Sequence, residues 1–309
     1  MLQFKDCYIN RGKLLLPKST GSTDQLPTMY QSWTAPQKRH LKIRSTKFHS
    51  KANNGDQRDL LIFDTWGTSS YYHLLIDHII PVWITKNWAA EHLGILQNDP
   101  HYWRISNNGW KRELPNAREI FSYFLGVKFE EEVEGHFSNV LYGYCYSWRP
   151  FHGGDPVINE NYKSALQEFR SVFCPSNDEG RRNLKDKYVL VPTRKEREFE
   201  YVKYFVSKYC DSINFQIVDM GQLTIKEQID MASGASAIFG SEGAAFANSI
   251  FMENGSLIIP FSREPERFLW HQTISSYVEH DFYPVFLDSF GHPLISEEAI
   301  LQKLMGSSS

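Results

Sequence analysis

With 309 residues, 41% of them hydrophobic, the chain is long enough to bury one large core or two ordinary ones, and two domains are expected. Lysine and arginine total 33 against 36 aspartate and glutamate, a formal net charge of -3, which excludes the basic balance of a nucleic-acid binder. The four cysteines, Cys7, Cys145, Cys174 and Cys210, form neither a C-x-x-C pair nor a zinc spacing. No run reaches membrane-spanning length and the first residues lack the apolar core of a signal peptide, so the expectation is a soluble, cytoplasmic protein with no integral membrane segment.

In chain order, Asp59 to Phe63 reads as a strand and Ser70 to about Ile80 as a helix that stops before Pro81. Tyr102 to Ser106 and Val140 to Ser147 are further strand-like pieces. From Pro150 to Asp186 the chain holds Gly153-Gly154, a helix predicted over Asn159 to Phe173 and a polar stretch from Pro175. The domain junction is placed there, giving an N-terminal α/β domain over 1–155 and a C-terminal one over 156–305, with 306–309 as a tail.

The second half then alternates strand and helix. Tyr188 to Pro192 is a strand, Glu196 to Tyr209 a helix with Phe199, Val202, Phe205 and Val206 apolar, and Phe215 to Met220 the next strand. A capping box, Thr224 with Glu227, opens a helix that leads to the strand Ser236 to Phe239. A short helix over Ala245 to Met252 and a strand over Ser256 to Phe261 follow. This alternation predicts a Rossmann-like parallel sheet covered on both faces, with its ligand edge at the carboxyl ends of the strands.

Three stretches carry candidate chemistry. Gly240-Ser241-Glu242-Gly243-Ala244, running to Asn248, follows a strand and opens a helix, so it points backbone N–H groups and a helix dipole at an anion, expected to be a phosphate. Small residues there also serve plain tight packing of helix on sheet, and the dinucleotide fingerprint and the Walker lysine are both absent, which removes the support for an oxidoreductase. Arg194, Lys195 and Arg197 sit where a helix dipole disfavours cations, and a diphosphate supplies the reason; surface pairing with Glu196, Glu198 and Glu200 is the alternative. His73 and Asp77, four apart on a helix, are able to touch and so to form a general base, or else a structural pair. His78 is turned away from Asp77, which leaves no metal site expected, and the chain has no D-x-D platform for a metal-bound nucleotide sugar.

Tyr71-Tyr72-His73-Leu74-Leu75-Ile76-Asp77, the Arg194 to Arg197 loop, Glu227-Gln228-Ile229 and Gly240 to Phe251 together resemble glycosyltransferase family 61 in order and spacing, over roughly Thr65 to Phe261. The resemblance implies a GT-B architecture, two Rossmann-like domains facing a central cleft, and inverting transfer from a UDP-sugar to a glycan acceptor without a bound metal or other cofactor. It implies xylose as the first choice of sugar and N-acetylglucosamine as the second. By position, Arg194, Lys195 and Arg197 become the diphosphate clamp, and Gly240, Ser241, Gly243, Ala244 and Asn248 the donor loop. Asp77 is the first choice of base with His73 as its orienting partner, and Glu242, standing where the family has histidine, is the second choice. That substitution also prompts a rival reading, a non-catalytic glycan- or nucleotide-binding module on the same fold.

Overall fold

The structure, a computed structural model, describes residues 2–10, 13–16, 42–45, 58–65, 69–97, 101–106, 114, 116–126, 135–143, 160–174, 187–193 and 199–306. Arg194, Lys195 and Arg197, and Gly153-Gly154, lie outside the described residues. The chain divides into two compact units, residues 1–148 and 149–309.

In the first unit a six-stranded sheet has the order β3-β2-β1-β6-β4-β5, built from β1 (Leu2–Asn10), β2 (Lys13–Leu16), β3 (Lys42–Ser45), β4 (Asp59–Thr65), β5 (His101–Ser106) and β6 (Gly135–Tyr142). It is mixed: β1 runs antiparallel to β2 and β6, whereas β4 is parallel to β5 and β6. This unit therefore departs from the all-parallel sheet of a Rossmann-like half. The strand expected from Val140 starts earlier and spans Gly135–Tyr142, because it pairs with β1 from Ile9 opposite Gly135 to Leu2 opposite Tyr142, and Tyr144 to Ser147 of that expectation lie outside the described residues. Leu60, Leu61, Ile62 and Phe63 are all fully buried, the continuous apolar run of a strand covered on both faces.

The helix expected to stop before Pro81 runs through it. His73–Ile79 is π-helical, closing with Ile80 N–H on the Leu75 carbonyl, and α1 (Ile80–Leu93) continues with Pro81 in its first turn. A proline ring in a helix interior collides with the carbonyl four residues back and lacks a hydrogen to donate. At a first turn, behind a stretch whose bonds already skip to the fifth residue, neither cost is incurred in full.

The second unit holds β7 (Tyr188–Pro192), β8 (Phe215–Val218), β9 (Ala235–Ser241), β10 (Leu257–Ser262), β11 (Asp281–Phe282) and β12 (Val285–Phe286). The order is β11-β10-β9-β7-β8 with β12 also on β10, and every pairing is parallel. One face carries Val189, Val191, Phe239, Ile259 and Phe261 against α4 (Glu200–Tyr209) and α7 (Glu297–Gly306) through Val202, Phe205, Ile300 and Leu304. Each fully buried phenylalanine contributes on the order of 2 kcal/mol. Gly306, expected in the tail, ends α7. The remaining helices are α2 (Ala117–Leu125) in the first unit, and α3 (Glu160–Phe173), α5 (Ile225–Gly234) and α6 (Phe268–Tyr277) in the second. Among the described residues no helix is long and apolar enough to cross a membrane.

Renumbered within the unit, the sheet order is 2-1-3-4-5, that of a doubly wound sheet. Its topological switch point lies between β7 and β9, so the crevice for a ligand opens outside their carboxyl ends, at Thr193 and at Ser241-Glu242.

Candidate functional site

At the end of β7 the Thr193 N–H donates to the Val218 carbonyl at 2.8 Å, and the chain is caught again where the Phe199 N–H donates to the Ser241 hydroxyl at 3.0 Å. The two residues that flank the arginine loop in sequence are thus held at the switch point, Phe199 by a residue of the glycine loop itself. Ser241 is buried at 6% exposure, and its oxygen is engaged in fixing Phe199. The described helix begins at Glu200, with Phe199 extended as its N-cap, and not at Glu196 as expected. Arg194, Lys195 and Arg197 precede the N-cap in sequence, which removes the dipole's objection to cations in a first turn.

The glycine loop needs one of its glycines for conformation. Gly240 has φ +154°, a region side-chain-bearing residues rarely adopt, although a Cβ there would meet Pro192 no closer than 3.8 Å. Gly243, at φ 167° and ψ -177°, is simply extended. Beyond it the short helix expected over Ala245 to Met252 is a 3-10 helix over Ala244–Phe251. Its first internal bond runs from Phe246 N–H to the Gly243 carbonyl at 3.0 Å, so the Ala244 and Ala245 N–H groups come before it, as the orphan donors of a helix start.

Asn248, expected at the donor, lies behind the loop. It is fully buried, and its amide donates to Gln228 Oε1 at 3.2 Å and to the Ala245 carbonyl at 3.1 Å. Gln228 in turn donates to the Leu223 carbonyl at 3.2 Å. Its neighbour Glu227 completes the capping box, accepting from Thr224 N–H at 2.8 Å while Glu227 N–H returns to the Thr224 hydroxyl at 3.3 Å. Glu227 and Gln228 are therefore a cap and a brace holding the loop from below. The same back side carries His280, whose Nε2 bonds the Ser249 carbonyl at 2.7 Å, and burial pushes its imidazole down to about 4.

Glu242 closes onto the sheet through its N–H, which donates to the Phe261 carbonyl at 2.9 Å. Its carboxylate lies 3.5 Å from the guanidinium of Arg267, which also pairs with Glu264. Glu264 first, and Glu242 after it, hold the Arg267 guanidinium above its ordinary value. Arg263, beside them, stacks over the Phe199 ring at 5.6 Å. Sequence reasoning passed over these two arginines. The signal was there, since Arg263-Glu264-Pro265-Glu266-Arg267 follows β10 just as the Arg194 loop follows β7.

In the first unit His73 Nδ1 and Asp77 Oδ2 are 2.7 Å apart. The Asp77 side chain is 2% exposed and that of His73 31%. An ionised Asp77 is an acceptor only, so Nδ1 carries the hydrogen and Nε2 is the basic nitrogen. The buried Tyr72 ring stands edge-on to the imidazole at 5.7 Å and 86° and helps to set its plane. Asp77, the expected base, is thus the buried partner, and His73 is the member that reaches solvent. His78 is buried at 1%, and among the described residues no three or more His, Cys, Asp or Glu are grouped so as to hold a metal ion.

Among curated proteins none matches this chain. The model of the family described as Glycosyltransferase 61 matches residues 71–259. That span covers well over half of the chain and takes in His73, Asp77, the Arg194 to Arg197 loop, Gln228 and the loop from Gly240 to Asn248. The chain belongs to glycosyltransferase family 61.

Proposed function

We propose that the protein is an inverting, metal-independent glycosyltransferase that moves a sugar from a UDP-sugar to a hydroxyl of a glycan acceptor. Xylose is the first donor to test and N-acetylglucosamine the second. The observation that carries this reading is the hydrogen bond from Phe199 N–H to Ser241, which holds the residue just after the arginine segment against the glycine loop at the switch point of the parallel sheet. In this proposal Arg194, Lys195 and Arg197, with the Ala244 and Ala245 N–H groups, take the diphosphate. They stabilise the charge that grows on it as the glycosidic bond breaks. Glu242 beside a diphosphate is repulsive unless compensated, and Arg267 at 3.5 Å supplies the compensation. The carboxylate is then available to sugar or ribose hydroxyls.

The base in this proposal is His73. His73 Nε2 takes the acceptor's proton, the freed oxygen attacks the anomeric carbon opposite the departing UDP, and Asp77 holds the imidazole's tautomer and stabilises its positive charge. This reverses the order of the two residues expected from sequence, on the ground of their exposure. A cytoplasmic setting belongs to the same proposal and rests on the scattered cysteines, of which Cys174 and Cys210 are free thiols.

A thermal-shift screen across nucleotide sugars tests the donor. Stabilisation by UDP and one UDP-sugar supports the reading, and equal indifference to every uridine nucleotide refutes it. The rival, a binding module without catalysis, draws on Glu242 in place of histidine. It wins if UDP binds and no UDP-sugar is ever cleaved.

A further inference from the structure

Next to Glu242 and Arg267 lies an aromatic cleft on the second unit, lined by Pro265, Phe268, Gln272, Phe282, Pro284 and Phe286. One wall is the start of α6, which follows the Pro265–Arg267 turn directly. The other wall is β11 and β12, and Phe286 pairs in register with Ser262 at the carboxyl end of β10, one strand along from β9. Arg267 thus reaches Glu242 on one side, while its neighbours Pro265 and Phe268 line the cleft on the other.

The rings are arranged as a buried support under an exposed face. Phe268 is 4% exposed and meets Phe286 edge to face at 5.0 Å and 89°, and Phe282 at 6.5 Å and 73°. Phe286 keeps 38% of its surface in water, which an apolar side chain with a tight core position would not. Gln272 is the one polar side chain in the lining. It is exposed, and its carboxamide has no hydrogen-bond partner among the described residues, while its backbone carbonyl accepts from the Ser276 hydroxyl at 2.9 Å.

A pyranose presents several hydroxyls, and one carboxamide satisfies at most two of them, leaving the rest against phenyl rings and proline. A flat base has two apolar faces and one hydrogen-bonding edge, and a carboxamide offers a matched acceptor and donor to that edge. We propose that this cleft is the nucleobase subsite, with the donor's uracil stacked on Phe286 and its imide edge on Gln272. The inference rests on the uridine-nucleotide reading above.

Calorimetric titration of the full chain with UDP, CDP and inorganic diphosphate tests it. Phe286→Ala is expected to weaken UDP about tenfold and to leave inorganic diphosphate unchanged. Gln272→Glu sets a carboxylate against the imide's carbonyl oxygens but accepts from cytosine's amine, so the ratio of UDP to CDP affinity is expected to fall about tenfold. Gln272 is exposed, so that variant reports even if Phe286→Ala destabilises the strand pair. Unchanged UDP affinity and an unchanged UDP to CDP ratio overturn the subsite, as does a loss confined to the acceptor's KM. If the wild type binds inorganic diphosphate but no UDP, the donor reading itself fails, and the subsite with it.

Discussion

In the second unit the candidate chemistry sits on loops that leave the carboxyl ends of parallel strands, whereas in the first it sits inside a helix, on the π-helical stretch His73–Ile79. Thr193, Phe199 and Glu242, which flank or belong to these loops, are held by backbone N–H bonds to Val218, Ser241 and Phe261, and Asn248 and Gln228 brace the glycine loop. The His73–Asp77 pair is fixed locally, by helical spacing and by burial of one partner. A ligand that must be held along its length suits the first arrangement, and a single proton transfer suits the second. Damage in the second unit is therefore expected to appear as lost donor affinity, and damage in the first as lost turnover at constant affinity.

The largest effect is expected from Asp77→Asn. An amide beside Nδ1 no longer fixes the tautomer, and transfer should fall about 10^2- to 10^4-fold with UDP affinity unchanged. A fall in UDP affinity with normal turnover would erase the contrast between the units. Next come Arg194→Ala and Arg197→Ala, each expected to raise the UDP dissociation constant about 10- to 100-fold by calorimetry, through loss of a charge-assisted contact. Normal UDP affinity in both would remove the arginine loop from the donor site.

Smaller effects sharpen the picture of the braces. Asn248→Ala leaves Gln228 Oε1 without this donor and is expected to lower stability by about 1–3 kcal/mol in urea unfolding; a neutral result would show that the amide pair holds nothing. The smallest concerns His280, which is held at about 4 in the fold against an ordinary 6.5. The unfolded chain takes up this proton first, so the contribution is complete above about 6.5 and is lost as the pH falls toward 4. His280→Asn should flatten the fall in Tm over that window, and an unaltered profile would contradict the assignment.

Much of the second unit was legible in the residues. The strand Tyr188–Pro192 is apolar throughout and bounded by polar residues, and the Thr224–Glu227 capping box marks a helix start to the residue. These are local signals, and local physics decides them. The first unit was harder because its strand ends depend on distant pairing, as where β1 sets the extent of β6. Pro81 reads as a stop only if the preceding turn is α-helical, and the π-helical turn before it has no signature in the sequence. Within the site, His73, Asp77 and the glycine loop were visible from spacing. That Asn248 is a brace, that Ser241 holds Phe199 and that Arg267 answers Glu242 depends on which side chains the sheet order brings together.

The most direct test of the division between donor and base is the rate of UDP release from UDP-sugars by the wild type and by His73→Ala, with UDP affinity measured on the same samples. Release by the wild type, none above background by the variant, and equal affinity for both are expected. A variant that releases UDP as fast as the wild type, or a wild type that binds UDP and cleaves no UDP-sugar, would contradict that division.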